Sequence, residues 1–356
     1  MTLKMTSKIV LFGLVAPLAL ILIAASIYYG SKNTPTESIV QTKITISTIT
    51  ENDNCDGTPV KFYTYDYSDI PNSMKLSKNT EFCFHNFEST SSLDYNLNQM
   101  AFNKHFNSVE IAFSELTHGL IFNNEYTRLP DIPDCPNYAN LVYSDEFGTI
   151  LIGGYHKYQW TSSVVNILSN NENGDTVKLP SLNTGRGKSS TVYQNSKIYV
   201  VGGFNSNVFN GAEGTLRTIE VLDLGDLNNK WIEIGRLREP RRGHNFVIFE
   251  DSIYAFCGYN GTDYRVTSME KFGLIDGKST IADDLMSYRY QPVSFLTSKD
   301  SLFIFGGEDS KKDNILETGD LEMKTPFTVA ITSFSSEFYA DFVGKRLGHT
   351  VYETSG

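Results

Sequence analysis

GTILIGGY (148–155), KIYVVGGF (197–204), SIYAFCGY (252–259) and SLFIFGGE (301–308) repeat one pattern within a chain of 356 residues. Each is a short run rich in β-branched and aromatic residues, the composition of a buried strand, closed by small residues that stop it. The second glycines, Gly154, Gly203, Gly258 and Gly307, are spaced by 49, 55 and 49 residues. A second strand-like run precedes each segment across a few polar residues: NLVYSDE, STVYQNS, NFVIFED and VSFLTSKD. A variable polar loop and a third run follow, in VVNIL, TIEVLDL, SMEKF and ILETG. A fourth run is clear in VKLPSL and KWIEIGRL and poorly marked in the last two units. A plain series of hairpins would not hold a near-constant period.

Four strands in a unit of about fifty residues is the pattern of a β-propeller blade. The glycines have a local reason: where the strand ends, the chain turns sharply beside a neighbour, and a residue without Cβ permits both positive φ and close approach. Gly153, Gly154, Gly202, Gly203, Gly258, Gly306 and Gly307 are therefore expected to be structural, and Cys257 a small buried stand-in for the first glycine of its pair. The hydrophobic run ending in Gly-Gly, Trp231 in an outer strand, and the openings at Gly243-His244 and Gly348-His349 resemble the kelch repeat over about residues 135–356. The resemblance implies an all-β, kelch-type β-propeller with four recognisable four-stranded blades plus one or two degenerate or incomplete ones. Cys257 and the weak outer strand of the fourth unit depart from its pattern.

Upstream, residues 51–134 are strand-rich without repeating, as in VKFYTYDY, TEFCFHNF and SVEIAFSE, and EYTRLPDIP (125–133) reads as the outer strand and exit turn of a blade. Downstream, HTVYETSG (349–356) aligns with SSTVYQNSK of the second unit. Two expectations follow: a propeller region truncated at its C-terminus, or a last strand that completes the first blade and removes exposed sheet edges.

Ile9 to Tyr29 is a stretch of 21 residues without charge, preceded by Lys4 and Lys8 in the n-region 1–8. That length spans a bilayer core as a helix, and the basic flank favours a cytoplasmic N-terminus. The reading is a signal-anchor of a single-pass type II membrane protein. A signal peptide cleaved after Ala24-Ala25-Ser26, giving a secreted protein, is the alternative. Either places the remainder in the secretory pathway. Residues 30–50 form a Ser/Thr-rich stalk, although Lys43–Thr50 alternates like a strand. Of four cysteines, Cys55 and Cys83 are expected to pair in an oxidising compartment, and Asn260-Gly261-Thr262 is a glycosylation sequon. No cysteine pair has zinc-ligand spacing, and neither a metal nor a cofactor is expected.

A net charge of −11 opposes non-specific nucleic-acid binding. In a four-stranded blade, the second-to-third and fourth-to-first loops emerge on the same face. The first set begins at Tyr155, Phe204, Tyr259 and Glu308, and the second includes Arg186, Lys188, Arg241, Arg242 and Arg289. Arginine interleaved with aromatics is the composition of interface anchors and of carboxylate sites. The expected function is a binding module for a protein or an acidic glycan through Tyr155, Phe204, Tyr259, Arg186, Arg241, Arg242 and Arg289. The bland alternative makes several of these arginines blade-to-blade ties. The runner-up function is a carbohydrate-active enzyme, either copper-radical-oxidase-like or sialic-acid-mutarotase-like. With only six His and no locatable Tyr–Cys pairing, the oxidase form has little support.

Overall fold

The computed structural model describes most of residues 117–296, together with strands at 42–49, 58–67, 75–84, 100–103, 108–114, 301–305, 316–320, 328–330 and 349–355. The apolar stretch Ile9–Tyr29, the stalk up to residue 41, Cys55, Arg289, Gly306 and Gly307 lie outside the described residues. Among the described residues no helix is long and apolar enough to cross a membrane.

The strands, in chain order, are β1 (Thr42–Ile49), β2 (Thr58–Tyr67), β3 (Lys75–Phe84), β4 (Met100–Asn103), β5 (Ser108–Ser114), β6 (Thr117–Phe122) and β7 (Glu125–Arg128). Next come β8 (Asn140–Ser144), β9 (Gly148–Ile152), β10 (Tyr155–His156), β11 (Gln159–Trp160), β12 (Val164–Ile167) and β13 (Thr176–Lys178). They continue with β14 (Ser190–Gln194), β15 (Lys197–Val201), β16 (Thr218–Asp223), β17 (Ile232–Arg236), β18 (Asn245–Phe249), β19 (Ser252–Phe256), β20 (Ser268–Gly273) and β21 (Ser279–Asp284). The last are β22 (Val293–Leu296), β23 (Ser301–Phe305), β24 (Leu316–Asp320), β25 (Thr328–Ala330) and β26 (His349–Ser355).

They form six four-stranded sheets among the described residues: β4-β5-β6-β7, β8-β9-β12-β13, β14-β15-β16-β17, β18-β19-β20-β21, β22-β23-β24-β25, and β26-β1-β2-β3. The small hairpin β10-β11 stands apart in the loop after Gly154. The glycine-ended runs are β9, β15, β19 and β23, each second in its sheet. β1 falls inside the stretch read as stalk and shares a sheet with β26.

First strands pack side by side in chain order, β4 on β8, β8 on β14, β14 on β18 and β18 on β22. Side chains alternate along each strand, so the two faces of a sheet meet two different neighbours. On β15, Ile198 and Val200 join Ile150, Ile152, Leu222 and Trp231 on one side, while Val201 joins Ile219, Phe246, Ala255 and Phe272 on the other. Tyr254, Phe256 and Met269 then meet Leu302 and Ile304 of β23. Because both faces are covered, strands such as SIYAF are buried at every position and read as continuous apolar runs. Polar side chains stitch the strand starts together. Asn140 donates to the Ser189 hydroxyl at 2.7 Å, and Ser190 donates to Asn245 at 3.1 Å.

The glycine pairs divide the crowding between neighbouring sheets. A methyl group on Gly202 would collide with the carbonyl of Arg241, which belongs to the loop entering the next sheet, and φ there is +59°. A methyl on Gly203 would lie 2.8 Å from Ser189, in the loop entering its own sheet. Gly153 and Gly154 repeat this, facing Arg186 of the next loop and Asn137 of their own. Cys257, buried at φ 61°, holds the first-glycine position of the third pair, as the sequence suggests.

Candidate functional site: an aromatic and cationic loop face

Three loops lead into β8, β14 and β18, and they share one design. Asn137 bridges Tyr155, Gly187 bridges Phe204, and Arg242 bridges Tyr259, each pair antiparallel. These bridges carry the aromatic that follows each glycine pair up against the loop of its own sheet. One residue further on, Tyr138, Lys188 and Gly243 all adopt positive φ. The Lys188 N–H donates to the Tyr138 carbonyl at 3.1 Å, and the Gly243 N–H donates to the Lys188 carbonyl at 2.9 Å. Backbone hydrogen bonds thus run from one sheet's loop to the next.

One residue earlier sit Arg186 and Arg241, and here the structure corrects the sequence reading. Both side chains are 0% exposed. Arg186 pairs with Glu220 and donates to the carbonyl of Gly202 at 2.9 Å. Arg241 donates to Glu270 at 2.9 Å, to the carbonyls of Cys257 and Ser268 at 3.0 and 2.8 Å, and to the Ser268 hydroxyl at 2.7 Å. Neither guanidinium reaches the loop surface, so both are ties within the fold and not contact residues. Burial pulls the pKa of Arg186 down, and Glu220 pushes it back up.

The carboxylates are placed by a repeated irregularity. The ladder between β16 and β17 slips at Ile219/Glu220, and that between β20 and β21 slips at Met269/Glu270. A bulge re-aims the side chain beside it. Glu220 also accepts the Asn183 N–H at 2.8 Å, while Glu270 accepts those of Arg238 and Glu239 at 2.6 and 3.2 Å. Each buried charge is thus both paired and hydrogen-bonded, which buried ion pairs require. In the β8-β9-β12-β13 sheet the matching positions are Pro136 and Val165, and both charges are absent together.

Arg242, the next residue along, has the opposite fate. It is half-buried, and its guanidinium carbon lies 4.5 Å from the Phe204 ring centre and 4.8 Å from that of Tyr259. Phe204 meets Trp160 edge-on at 5.0 Å, and Trp160 lies 4.9 Å from Tyr155 and 6.1 Å from Tyr138. The Lys188 ammonium is 4.4 Å from the Tyr138 ring. The result is a continuous ridge crossing three sheets: Tyr259, Arg242, Phe204, Trp160, then Tyr155 and Tyr138 capped by Lys188.

The structure therefore brings together Tyr155, Phe204, Tyr259 and Arg242 of the residues the sequence nominated. Arg289 lies outside the described residues. Trp160, at the centre, is a residue that sequence reasoning missed. It ends the hairpin β10-β11, packs over Gly187, and donates to the Ser206 hydroxyl at 3.0 Å. The hairpin turn is Lys157-Tyr158 at φ 46° and 66°, a conformation usually marked by Asn-Gly, so no turn signal announces it. A tryptophan in a polar loop was the one available hint. Tyr158 at its tip is 91% exposed. Asn260 of the sequon is half-buried beside Tyr259, and Thr262 lies outside the described residues.

The described residues form an all-β fold of small four-stranded antiparallel sheets. A family model described as Kelch motif matches residues 185–238, the segment that carries Arg186, Glu220, the glycine pair and Trp231. Spermatocyte protein spe-26 of Caenorhabditis elegans is 32% identical over 120 residues, which is 34% of this chain. The match spans 20% of that relative's length. The solved structure titled "Structure of YjhT" is similar at a TM-score of 0.47 and 15% identity, covering 67% of this chain and 99% of that one. The motif and the sheets together support a kelch-repeat family.

Proposed function

We propose that the chain is a protein-binding propeller of six blades, one for each four-stranded sheet, that engages its partner through the ridge from Tyr155 to Tyr259. The observation that carries this is the ridge itself. It is a run of aromatic rings with Arg242 set between two of them and Lys188 at one end, held by backbone bridges and only half-buried in a fold that buries most of its large apolar groups. Aromatic residues and arginine held in place before contact are the usual anchors of interfaces. The enzyme reading weakens on the same geometry, since Arg186 and Arg241, which a sugar-processing centre would need in its loops, are occupied as structural ties.

A photo-crosslinking residue placed at Tyr158 of the full-length chain tests this against one at Ile275, 83% exposed in the turn between β20 and β21 on the other face. A discrete protein adduct at 158 that is absent at 275 and lost in Trp160→Ala supports the ridge. Equal labelling at both positions refutes it.

The same proposal assigns the propeller to the secretory pathway, anchored by Ile9–Tyr29. Its support is the uncharged length of that stretch and the sequon at Asn260. Resistance of the chain to alkaline carbonate extraction, with an Asn260→Gln-sensitive glycan, is the expected result. Release by carbonate without a cleaved N-terminus would contradict it.

A further inference from the structure

Resting on the ridge reading, we infer that His244 is an acid-sensitive latch: a proton on its ring opens the loop from Arg242 to His244 and takes Arg242 out of the ridge. The side chain is 3% exposed, and neither ring nitrogen has a hydrogen-bond partner among the described residues. Buried polar atoms are nearly always paired, so this orphan needs a reason. The ring is wedged between the glycine ends of two sheets. A methyl group on Gly258 would lie 2.7 Å from its Cβ, and one on Gly202 would lie 2.8 Å from its Cε1. The matching positions ahead of β8, β14 and β22 hold Ala139, Ser189 and Pro292, so packing there does not demand an imidazole. None of those three side chains takes a proton. His349 opens β26 in the same way, and its side chain lies outside the described residues.

The latch can open without the rest of the fold. Arg241 is fixed by Glu270, Ser268 and the Cys257 carbonyl, and Asn245 starts the β18 ladder opposite Phe256. Between these anchors lie Arg242, Gly243 and His244. They are held by the two Arg242–Tyr259 backbone bonds at 3.0 Å each, by the Gly243 N–H on the Lys188 carbonyl at 2.9 Å, and by Tyr290 lying over Gly243. A segment held by few bonds outside the strand ladders opens locally, at lower cost than the whole chain. The charged groups on the elements packed about the ring are Lys188, Arg217, Arg238, Glu239, Arg241, Arg242, Arg265 and Glu270, and the uncharged titratable ones are Cys257, Tyr259 and Tyr290. Of these only Arg241 bears on the ring, and it repels the proton. Burial first, and then that repulsion, lowers the pKa from 6.5 to about 3. The closed loop therefore stays unprotonated at pH 5, while an opened loop with an ordinary histidine takes the proton. Between pH 7 and pH 5 the equilibrium constant for opening rises about 25-fold.

Amide hydrogen exchange of the full-length chain, measured at pH 7, 6 and 5 and divided by the intrinsic rate at each pH, tests the latch. The amides of Arg242, Gly243 and Tyr259 read it. Those of Gly187 and Phe204, which form the same bridge in the preceding loop beside Ser189, are the control. Opening at Arg242, Gly243 and Tyr259 is expected to rise about 25-fold from pH 7 to pH 5, and at Gly187 and Phe204 by less than about threefold. His244→Ser and His244→Ala, which carry over the residues of the neighbouring sheets, should each bring the rise below about threefold. A flat profile in the wild type, or a rise that survives in either variant, would overturn the inference. So would an equal rise at Gly187 and Phe204, which marks unfolding of the whole chain. The adducts at 158 and 275, taken at pH 7, do not depend on His244. A specific adduct at 158 with flat exchange leaves the ridge standing and removes the latch. Equal adducts with the expected exchange remove the ridge and leave only an acid-labile loop.

Discussion

Arg241 and Arg242 are neighbours in sequence, and truncating each should have opposite consequences. Arg241→Ala removes a buried guanidinium that satisfies Glu270, the Ser268 hydroxyl and the carbonyls of Cys257 and Ser268. Glu270 keeps the N–H groups of Arg238 and Glu239 and the Ser279 hydroxyl, but loses its only counter-ion among the described residues. Breaking a buried pair from one side costs about 3–5 kcal/mol. The retained donors place this site in the middle of that range, about 4 kcal/mol, or an apparent Tm lowered by roughly 10 °C for a chain of this size. Arg242→Ala removes two half-exposed cation–ring contacts worth about 0.5–1 kcal/mol each, so stability should fall by about 1–2 kcal/mol. Urea and thermal unfolding followed by circular dichroism measure both. The reasoning is refuted if Arg241→Ala costs less than about 1 kcal/mol, or if the two variants prove equally costly.

His244 is buried, and among the described residues neither ring nitrogen has a hydrogen-bond partner. Burial first, and then the charge of Arg241, lowers its pKa to about 3. The unfolded chain, with an ordinary histidine pKa near 6.5, binds this proton first, so the contribution is complete above that value and declines as pH falls toward 3. Between pH 7 and pH 5 the wild type should lose about 2 kcal/mol relative to His244→Leu, and a pH-independent gap between the two would exclude the mechanism. Gly148 and Gly202 both have positive φ, yet only Gly202 is crowded. Gly148→Ala should cost about 1–2 kcal/mol from backbone strain alone, and Gly202→Ala clearly more, by denaturant midpoint; equal costs would remove the argument from close approach. Trp231 bonds the Pro180 carbonyl and packs with Leu179 and Leu182, so Trp231→Ala should cost about 3–5 kcal/mol by denaturant midpoint, and a cost below about 1 kcal/mol would remove the argument.

The strands β9, β15, β19 and β23 and their partners were legible because blade strands are buried on both sides, so apolar runs and glycine stops repeat at a fixed period. The outer strands β21 and β25 were faint for the complementary reason: apolar patterning fades where a strand such as STIADD faces water. The site was half legible. Tyr155, Phe204 and Tyr259 follow the glycines in register, and the bridges to Asn137, Gly187 and Arg242 follow from that. The division of labour between Arg241 and Arg242 was hidden, because it depends on a bulge at Met269/Glu270 that no local sequence feature marks. The hairpin that delivers Trp160 turns on Lys-Tyr, against the usual turn chemistry.

The loop tripeptide before each first strand assigns one task to each residue. In Arg186-Gly187-Lys188 and Arg241-Arg242-Gly243, the first residue ties its sheet internally, the second bridges the ridge aromatic, and the third links to adjacent loops. Across successive repeats the middle position is Asn137, Gly187, Arg242 and Tyr290. Such a surface can be rewritten one residue per blade, its backbone held constant by the positions on either side. Retargeting this protein would then be a matter of changing letters at fixed addresses.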